Sequence, residues 1–336
     1  VRLAPDPRDI VDDAVTTPRS RLPVARIDAL DAMLGRPPIA PPPPVPSLAQ
    51  RAEELAVADE VLRDYVLAPY PPRRDPRGGL RAVNLLVESF ALAGVEAQGG
   101  RVIDRLRAQL GPGRTVWGLK HRGGALSWEL YVYDPGRERA EATIAAVLGC
   151  LDGLVVAPPL PDRPIAHHMW SLELDGAALA GGPGARLTCY VNGADQAGAS
   201  RSYTLGDQGP ELANLYTFHD PRVAPRAIIE RVTTSVHLGT PSAGLAAVLW
   251  PGLHRCRRLC VANKRAADGL YFSGVDTDQL ALFLTRLGWP APLRSHVDDR
   301  RARYGHLAWD LGFDFTIGAG SNPAPAIAKS AVYATF

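Results

Sequence analysis

Lysine is scarce in this chain, and where it survives is the first chemical clue. Lysine and arginine together number 37 in 336 residues, and only Lys120, Lys264 and Lys329 are lysine. A genome rich in G and C writes arginine wherever a generic surface cation will do. On that account the lysines mark places where a planar guanidinium would not serve. A compact ammonium can share one phosphate with others that reach it from different directions. Tyrosines recur in the runs around them, in SWELYVYD (127–134), NLYTF (214–218), DGLYFSGV (268–275) and KSAVYATF (329–336). Lysine and tyrosine on one surface suit a ligand that is both anionic and apolar. Glu129 lies in the first of these runs, and two further carboxylates, Glu173 and Asp310, lie in the similar runs MWSLELDG (169–176) and HLAWDLGFDF (306–315). All three could move a proton.

Such residues act together only if the fold brings them to one face. HLAWDLGFDF (306–315) alternates strictly: Leu307, Trp309, Leu311, Phe313 and Phe315 on one side, and His306, Ala308, Asp310, Gly312 and Asp314 on the other. That is the pattern of a strand with one apolar face. Nine further strand-like runs follow from residue 115, joined in pairs by tight turns and separated by helical patterns such as RERAEATIAAVLGCL (137–151), RAIIERVTTSV (226–236) and DTDQLALFLTRLGW (276–289). Short joints favour antiparallel pairing, since parallel neighbours need crossovers of about a dozen residues. The expected fold is α+β: a closed ten-stranded antiparallel β-barrel surrounded by helices, with polar strand faces lining the lumen. An open sheet with a solvated face is the other arrangement that the pattern allows.

Sorting each run by its apolar side gives the expected lumen. It comprises Lys120 and Arg122; Ser127, Glu129, Tyr131 and Tyr133; Met169, Ser171 and Glu173; Arg186, Thr188 and Tyr190; Arg201 and Tyr203; Asn214, Tyr216 and Phe218; Ala262 and Lys264; Tyr271 and Ser273; His306 and Asp310; Lys329 and Tyr333. The chain before the barrel divides into an N-terminal segment 1–46, ending in the proline-rich PPIAPPPPVP, and a helical cap or outer layer over 47–111. Helices are expected there over 47–67, capped by Ser47, over 80–94 and over 100–111. The barrel domain then spans 112–336.

Composition excludes several function classes. A net charge of +2 gives no case for nucleic-acid or membrane binding, and no apolar run approaches the ~20 residues of a membrane span. The opening VRLAPDPRDI has no signal-peptide pattern, so the chain reads as cytoplasmic. The four cysteines form no zinc-type pair. Neither His296 with Asp298 nor His306 with Asp310 has a third ligand at a recognised spacing, and HExxH and GxSxG are absent. No metal site is therefore expected.

With these runs in hand a family can be named. LCVANKRAADGLYFSGVDTDQLALFL, NLYTF, SWELYVYD and the closing KSAVYATF, together with the repeated strand-strand-helix order over residues 115–336, resemble the ABBA-type (PT-barrel) aromatic prenyltransferases. These include the indole, phenol and cyanobactin-peptide enzymes. The resemblance implies transfer of an isoprenyl group from an allylic diphosphate, dimethylallyl or geranyl, to an aromatic small molecule or a peptide side chain. Carried onto this chain, it implies that Lys120, Arg201, Asn214, Tyr216, Lys264, Tyr271 and Lys329 hold the diphosphate. It likewise implies that Tyr131, Tyr190, Tyr203 and Tyr333, with Asp310, surround the prenyl and aromatic groups.

Where the peptide-prenylating members carry an acid on the first strand, this chain has Lys120. Glu129 and Glu173 are then the expected proton acceptors. No cofactor is obligatory, though Mg could accompany the diphosphate, and a monomer or homodimer is expected. The competing reading is a barrel that binds an amphipathic or aromatic ligand without prenyl transfer, or that does other chemistry on an aromatic substrate.

Overall fold

The computed structural model describes residues 53–158, 160, 165–192, 200–206, 209–318 and 324–336. The segment 1–46, Ser47 with the head of the helix expected over 47–67, and the run 193–199 lie outside them.

Ten strands close into a barrel: β3 (Thr115–Arg122), β4 (Ala125–Tyr133), β5 (Met169–Asp175), β6 (Arg186–Val191), β7 (Ser200–Gly206), β8 (Gly209–His219), β9 (Arg258–Lys264), β10 (Asp268–Val275), β11 (Trp309–Thr316) and β12 (Ala326–Thr335). Each pairs antiparallel with the next in sequence, and β12 pairs back onto β3. Among the described residues, closure leaves the barrel itself without a sheet edge. Because neighbours are antiparallel, the tight β3–β4 and β9–β10 turns fall at one end of the barrel, the hairpin end, and the long helix-bearing β8–β9 and β10–β11 connections cross the other.

The outward faces carry the large apolar side chains. Trp117, Trp128, Trp170, Phe272, Trp309 and Phe313 are buried against the surrounding helices. Those helices are α1 (Val83–Leu92), α2 (Glu96–Leu110), α3 (Ile144–Cys150), α4 (Gly176–Leu179), α5 (Pro225–Thr233), α6 (Pro241–Val248), α7 (Thr277–Arg286) and α8 (Ala291–Asp299). Buried indoles need a hydrogen-bond acceptor. Trp128 Nε1 donates to Ser89 Oγ at 2.8 Å, Trp170 Nε1 to the Ala142 carbonyl at 3.0 Å, and Trp289 Nε1 to Ser330 Oγ at 2.9 Å. Helix α7 starts where the sequence suggests: Asp276 accepts from the Gln279 amide, and the Gln279 side chain accepts from the Asp276 amide. Gly99 lets α1 and α2 close together, because a Cβ there would fall 2.5 Å from the Phe90 ring.

Three expectations need correction. Residues 53–67 are not helical. Leu55 bridges to Leu80, and β1 (Leu62–Arg63) pairs with β2 (Pro69–Tyr70) as a small hairpin. The leucines that suggested a helix are overruled locally, since Asp64 Oδ1 accepts from the Val66 and Ala68 amides and ties the chain into a turn. The helix expected over 137–151 is split into a 3-10 turn (Ala140–Ala142) and α3, the latter capped by Thr143 Oγ1. The last long strand pair starts at Trp309, so His306 is not in the lumen; it is buried beside Gly79. Among the described residues no helix is long and apolar enough to cross a membrane.

Candidate functional site in the barrel lumen

Residues paired directly across strands share a face of the sheet. From Lys120, the register passes to Ser127 on β4 and Ala331 on β12. From Tyr131 it passes to Val116 and Ser171, and from Tyr271 to Cys260 and Gly312. This inward set includes most of the expected lumen. Tyr131, Tyr133, Tyr190 and Tyr333 form a second apolar cluster with Val116, Met169 and Ala331, separate from the outer core. These tyrosines keep 7–8% exposure, whereas Trp117 and Trp309 outside keep none. The lumen is therefore lined by these side chains and less tightly sealed than the outer core.

Two expected residues are misplaced. Arg201 pairs with Val191 and Leu215, and Tyr203 pairs with Cys189, a member of the outer core. Both lie on the outward face, and Ser202 and Thr204 take the lumen positions of β7. A short run of alternating polar residues, SRSYT, does not reveal its parity, because a one-residue slip exchanges the faces. A register shift between Ser202 and Tyr203 adds to the ambiguity.

Five rings follow one another around the bore. Tyr216–Tyr190, Tyr190–Tyr131, Tyr131–Tyr333 and Tyr333–Tyr271 have centroid separations of 6.2, 6.0, 6.0 and 6.2 Å. Glycines let two of the rings lie along the wall. A Cβ on Gly118 would come within 2.8 Å of the Tyr333 ring, and one on Gly312 within 2.2 Å of the Tyr271 ring. The ring faces supply negative quadrupole potential to whatever occupies the bore. Burial pushes the phenols of Tyr131, Tyr190, Tyr271 and Tyr333 well above their ordinary pKa, so they stay protonated donors.

The three lysines gather toward the hairpin end, each already on a carboxylate. Lys120 Nζ is 2.7 Å from Glu129 Oε2 and 3.0 Å from Glu173 Oε2, and Arg186 also reaches Glu173 at 3.3 Å. Lys264 and Lys329 share Asp314, at 2.6 Å to Oδ1 and 2.9 Å to Oδ2. Lys264 Nζ also donates to the Tyr271 hydroxyl at 3.0 Å. Burial opposes the charge of Glu129 and Asp314, but the adjacent ammonium groups hold both carboxyls well below their ordinary range. Burial, with Lys329 and Lys120 nearby, lowers Lys264 to about 8 despite Asp314. A depressed lysine in this company marks a place where further negative charge would be stabilised.

Glu129 is the hub between the cations and the rings. It accepts from the Tyr131 hydroxyl and Ser171 Oγ, both at 2.5 Å, and from the Tyr190 hydroxyl at 3.3 Å. Asn214 donates to the Tyr216 hydroxyl at 2.7 Å and to Ser202 Oγ at 2.9 Å. Glu129 and Glu173 are cross-strand partners on β4 and β5. Asp310 is apart, at the opposite end of the barrel. Its carboxylate accepts the Gly274 amide at 2.8 Å and the Tyr65 amide at 2.9 Å, and burial, reinforced by Asp64, raises its pKa to about 7.

The candidate set thus divides into a hairpin-end cation cluster, a central tyrosine arc and a distant acid. Asp314, which organises two lysines, is not among the residues singled out above, although HLAWDLGFDF puts it on the same face as Asp310. Tyr65 comes from a segment read as helix, and no signal in the chain marks it. No three His, Cys, Asp or Glu among the described residues converge as a metal-holding group. No family model matches this chain, and no curated protein matches it.

Proposed function

We propose that the chain is an aromatic prenyltransferase of the ABBA type, moving an isoprenyl group from dimethylallyl or geranyl diphosphate to an aromatic small molecule or a peptide side chain. The carrying observation is the five-ring tyrosine arc with three ammonium groups beside it in one bore. Ionisation breaks the allylic C–O bond, and the electron pair leaves with the diphosphate. Lys120, Lys264 and Lys329 bind that leaving group with charge-assisted hydrogen bonds, roughly twice as strong as neutral ones. The rings stabilise the allylic cation by ~0.5–2 kcal/mol each, the upper end when water is absent. The acceptor's π electrons then form the new bond, and a proton leaves.

Glu129 is the acceptor for that proton. While Lys120 sits on it, Glu129 is a weak base. A diphosphate competes for Lys120 and so raises the proton affinity of Glu129 as the donor binds. Arg201 and Tyr203, on the outward face, have no part in this scheme. Mg accompanying the diphosphate remains part of the proposal and is required by no step of it.

A second reading, a barrel that binds an amphipathic aromatic ligand without transfer, is favoured by one observation. Every lumen lysine already has a carboxylate partner. Calorimetric titration with an unreactive thiolo analogue of each diphosphate, on wild type and Lys264→Ala, tests the first reading. Micromolar binding that weakens about tenfold or more in the variant supports it. Binding without product across an aromatic acceptor screen favours the second reading, and absence of binding sinks the first.

A further inference from the structure

The hairpin β1–β2 reaches into the lumen from the end opposite the lysines. Its base is anchored. Leu62 and Tyr70 are buried, the Tyr70 hydroxyl accepts the Ala308 amide at 3.1 Å, and Arg73 donates to the Gly274 carbonyl at 2.7 Å. Its tip, Asp64–Ala68, is held differently. Tyr65 and Leu67 pack on the lumen cluster of Tyr133, Met169 and Tyr190, not on the outer core.

Three polar contacts fix the tip to the barrel: the Tyr65 amide to Asp310 at 2.9 Å, the Tyr133 hydroxyl to the Tyr65 carbonyl, and Asp64 to Arg257 at a loose 3.6 Å. Leu67 has φ +60, a backbone conformation that L-residues with a branched side chain avoid. A cavity of about 120 Å³ remains beside the tip, lined by Asp64, Tyr65, Arg257, Arg258 and Ser273. By volume it has room for several waters. The tip is therefore held by three polar contacts and by the packing of Tyr65 and Leu67, next to open space and with Leu67 in an unfavourable backbone state.

We propose that residues Asp64–Ala68 are a displaceable plug that closes this end of the lumen from within, with Asp310 and Tyr133 as its latch. The plug lifts on the anchored base of the hairpin, and the bore beneath it becomes reachable through the space beside Arg257 and Arg258. Opening exchanges three polar contacts for water, uncovers Tyr65 and Leu67 and relieves the Leu67 backbone, a local cost below that of unfolding the barrel. The proposal concerns access alone and holds whether the lumen performs prenyl transfer or only binds.

Cys260 is the natural reporter. It pairs with Tyr271 and Phe218 on the lumen face, is buried, and is a free thiol. Cys189, buried in the outer core, is the internal control. The test labels the native full chain with a small maleimide and maps the modified cysteines by mass spectrometry over time. In parallel it follows hydrogen exchange in peptides covering 62–70 and 309–316.

In the wild type, Cys260 should label about tenfold faster than Cys189, and the 62–70 amides should exchange well before those of β11. Tyr133→Phe, which removes one latch, and Asp64→Ala, which removes the tip's turn and its ion pair, should each speed both readouts about tenfold while leaving β11 exchange unchanged. Labelling of Cys260 in step with Cys189, or variants that speed β11 and the tip alike, would show a fixed part of the core and overturn the proposal.

Discussion

Asp310→Asn separates a buried acid from the rest of the barrel's titration. Asp310 is enclosed at the plugged end, and burial with Asp64 nearby raises its pKa to about 7 from an ordinary 3.8. Between those two values the folded chain holds a proton that the unfolded chain has lost. The stability contribution is therefore fully present below about pH 4. It declines as pH rises through the window and is gone above about 7. At ~1.4 kcal/mol per pH unit, the whole window carries on the order of 4 kcal/mol.

Asparagine keeps the size of the side chain and has no such proton. The assay is urea unfolding of both proteins at pH 5, 6, 7 and 8, read as the difference between them so that other groups cancel. From pH 5 to 7 the wild type should lose about 2 kcal/mol relative to the variant, and the difference should level off by pH 8. A difference that stays flat from pH 5 to 8 would refute the burial argument. It would mean that the two amides donating to Asp310 offset its desolvation.

The other predictions follow from the cation cluster and the ring wall. Glu129→Ala leaves Lys120 buried with Glu173 alone and should cost about 3 kcal/mol in chemical denaturation, while adding Lys120→Met should recover most of it; an unrecovered double variant would mean that the pair does not act as a unit. Gly312→Ala forces the Tyr271 ring off the wall and should destabilise by ~1–3 kcal/mol, and a melting curve matching the wild type would contradict the close approach. Because Lys264 is lowered to about 8 and a bound anion favours its charged form, affinity for the thiolo-diphosphate should fall as pH rises through about 8. Calorimetry at pH 7 and 9 checks this, and equal affinities would place the anion away from Lys264.

Much of the barrel is written in the chain itself. Alternation in TVWGLKHR, SWELYVYD and DGLYFSGV sets which residues face in, because the side-chain period of a strand is two and each outward face carries residues that must be buried. The scarcity of lysine pointed to three positions that the fold does bring into one bore. That bore holds them because closure places β3, β9 and β12 around a common axis.

What only the tertiary structure decided depends on partners far apart in sequence. The carboxylate that each lysine uses, Asp314 for Lys264 and Lys329, comes from another strand. The outward turn of Arg201 and Tyr203 is fixed by pairing with β6 and β8, since SRSYT has no apolar face of its own. The plug is the extreme case. Tyr65 meets Asp310 across 245 residues of chain, and nothing local to LRDYVLAPY requires it. A local pattern fixes the face a side chain takes, whereas the partner waiting on that face is set by closure.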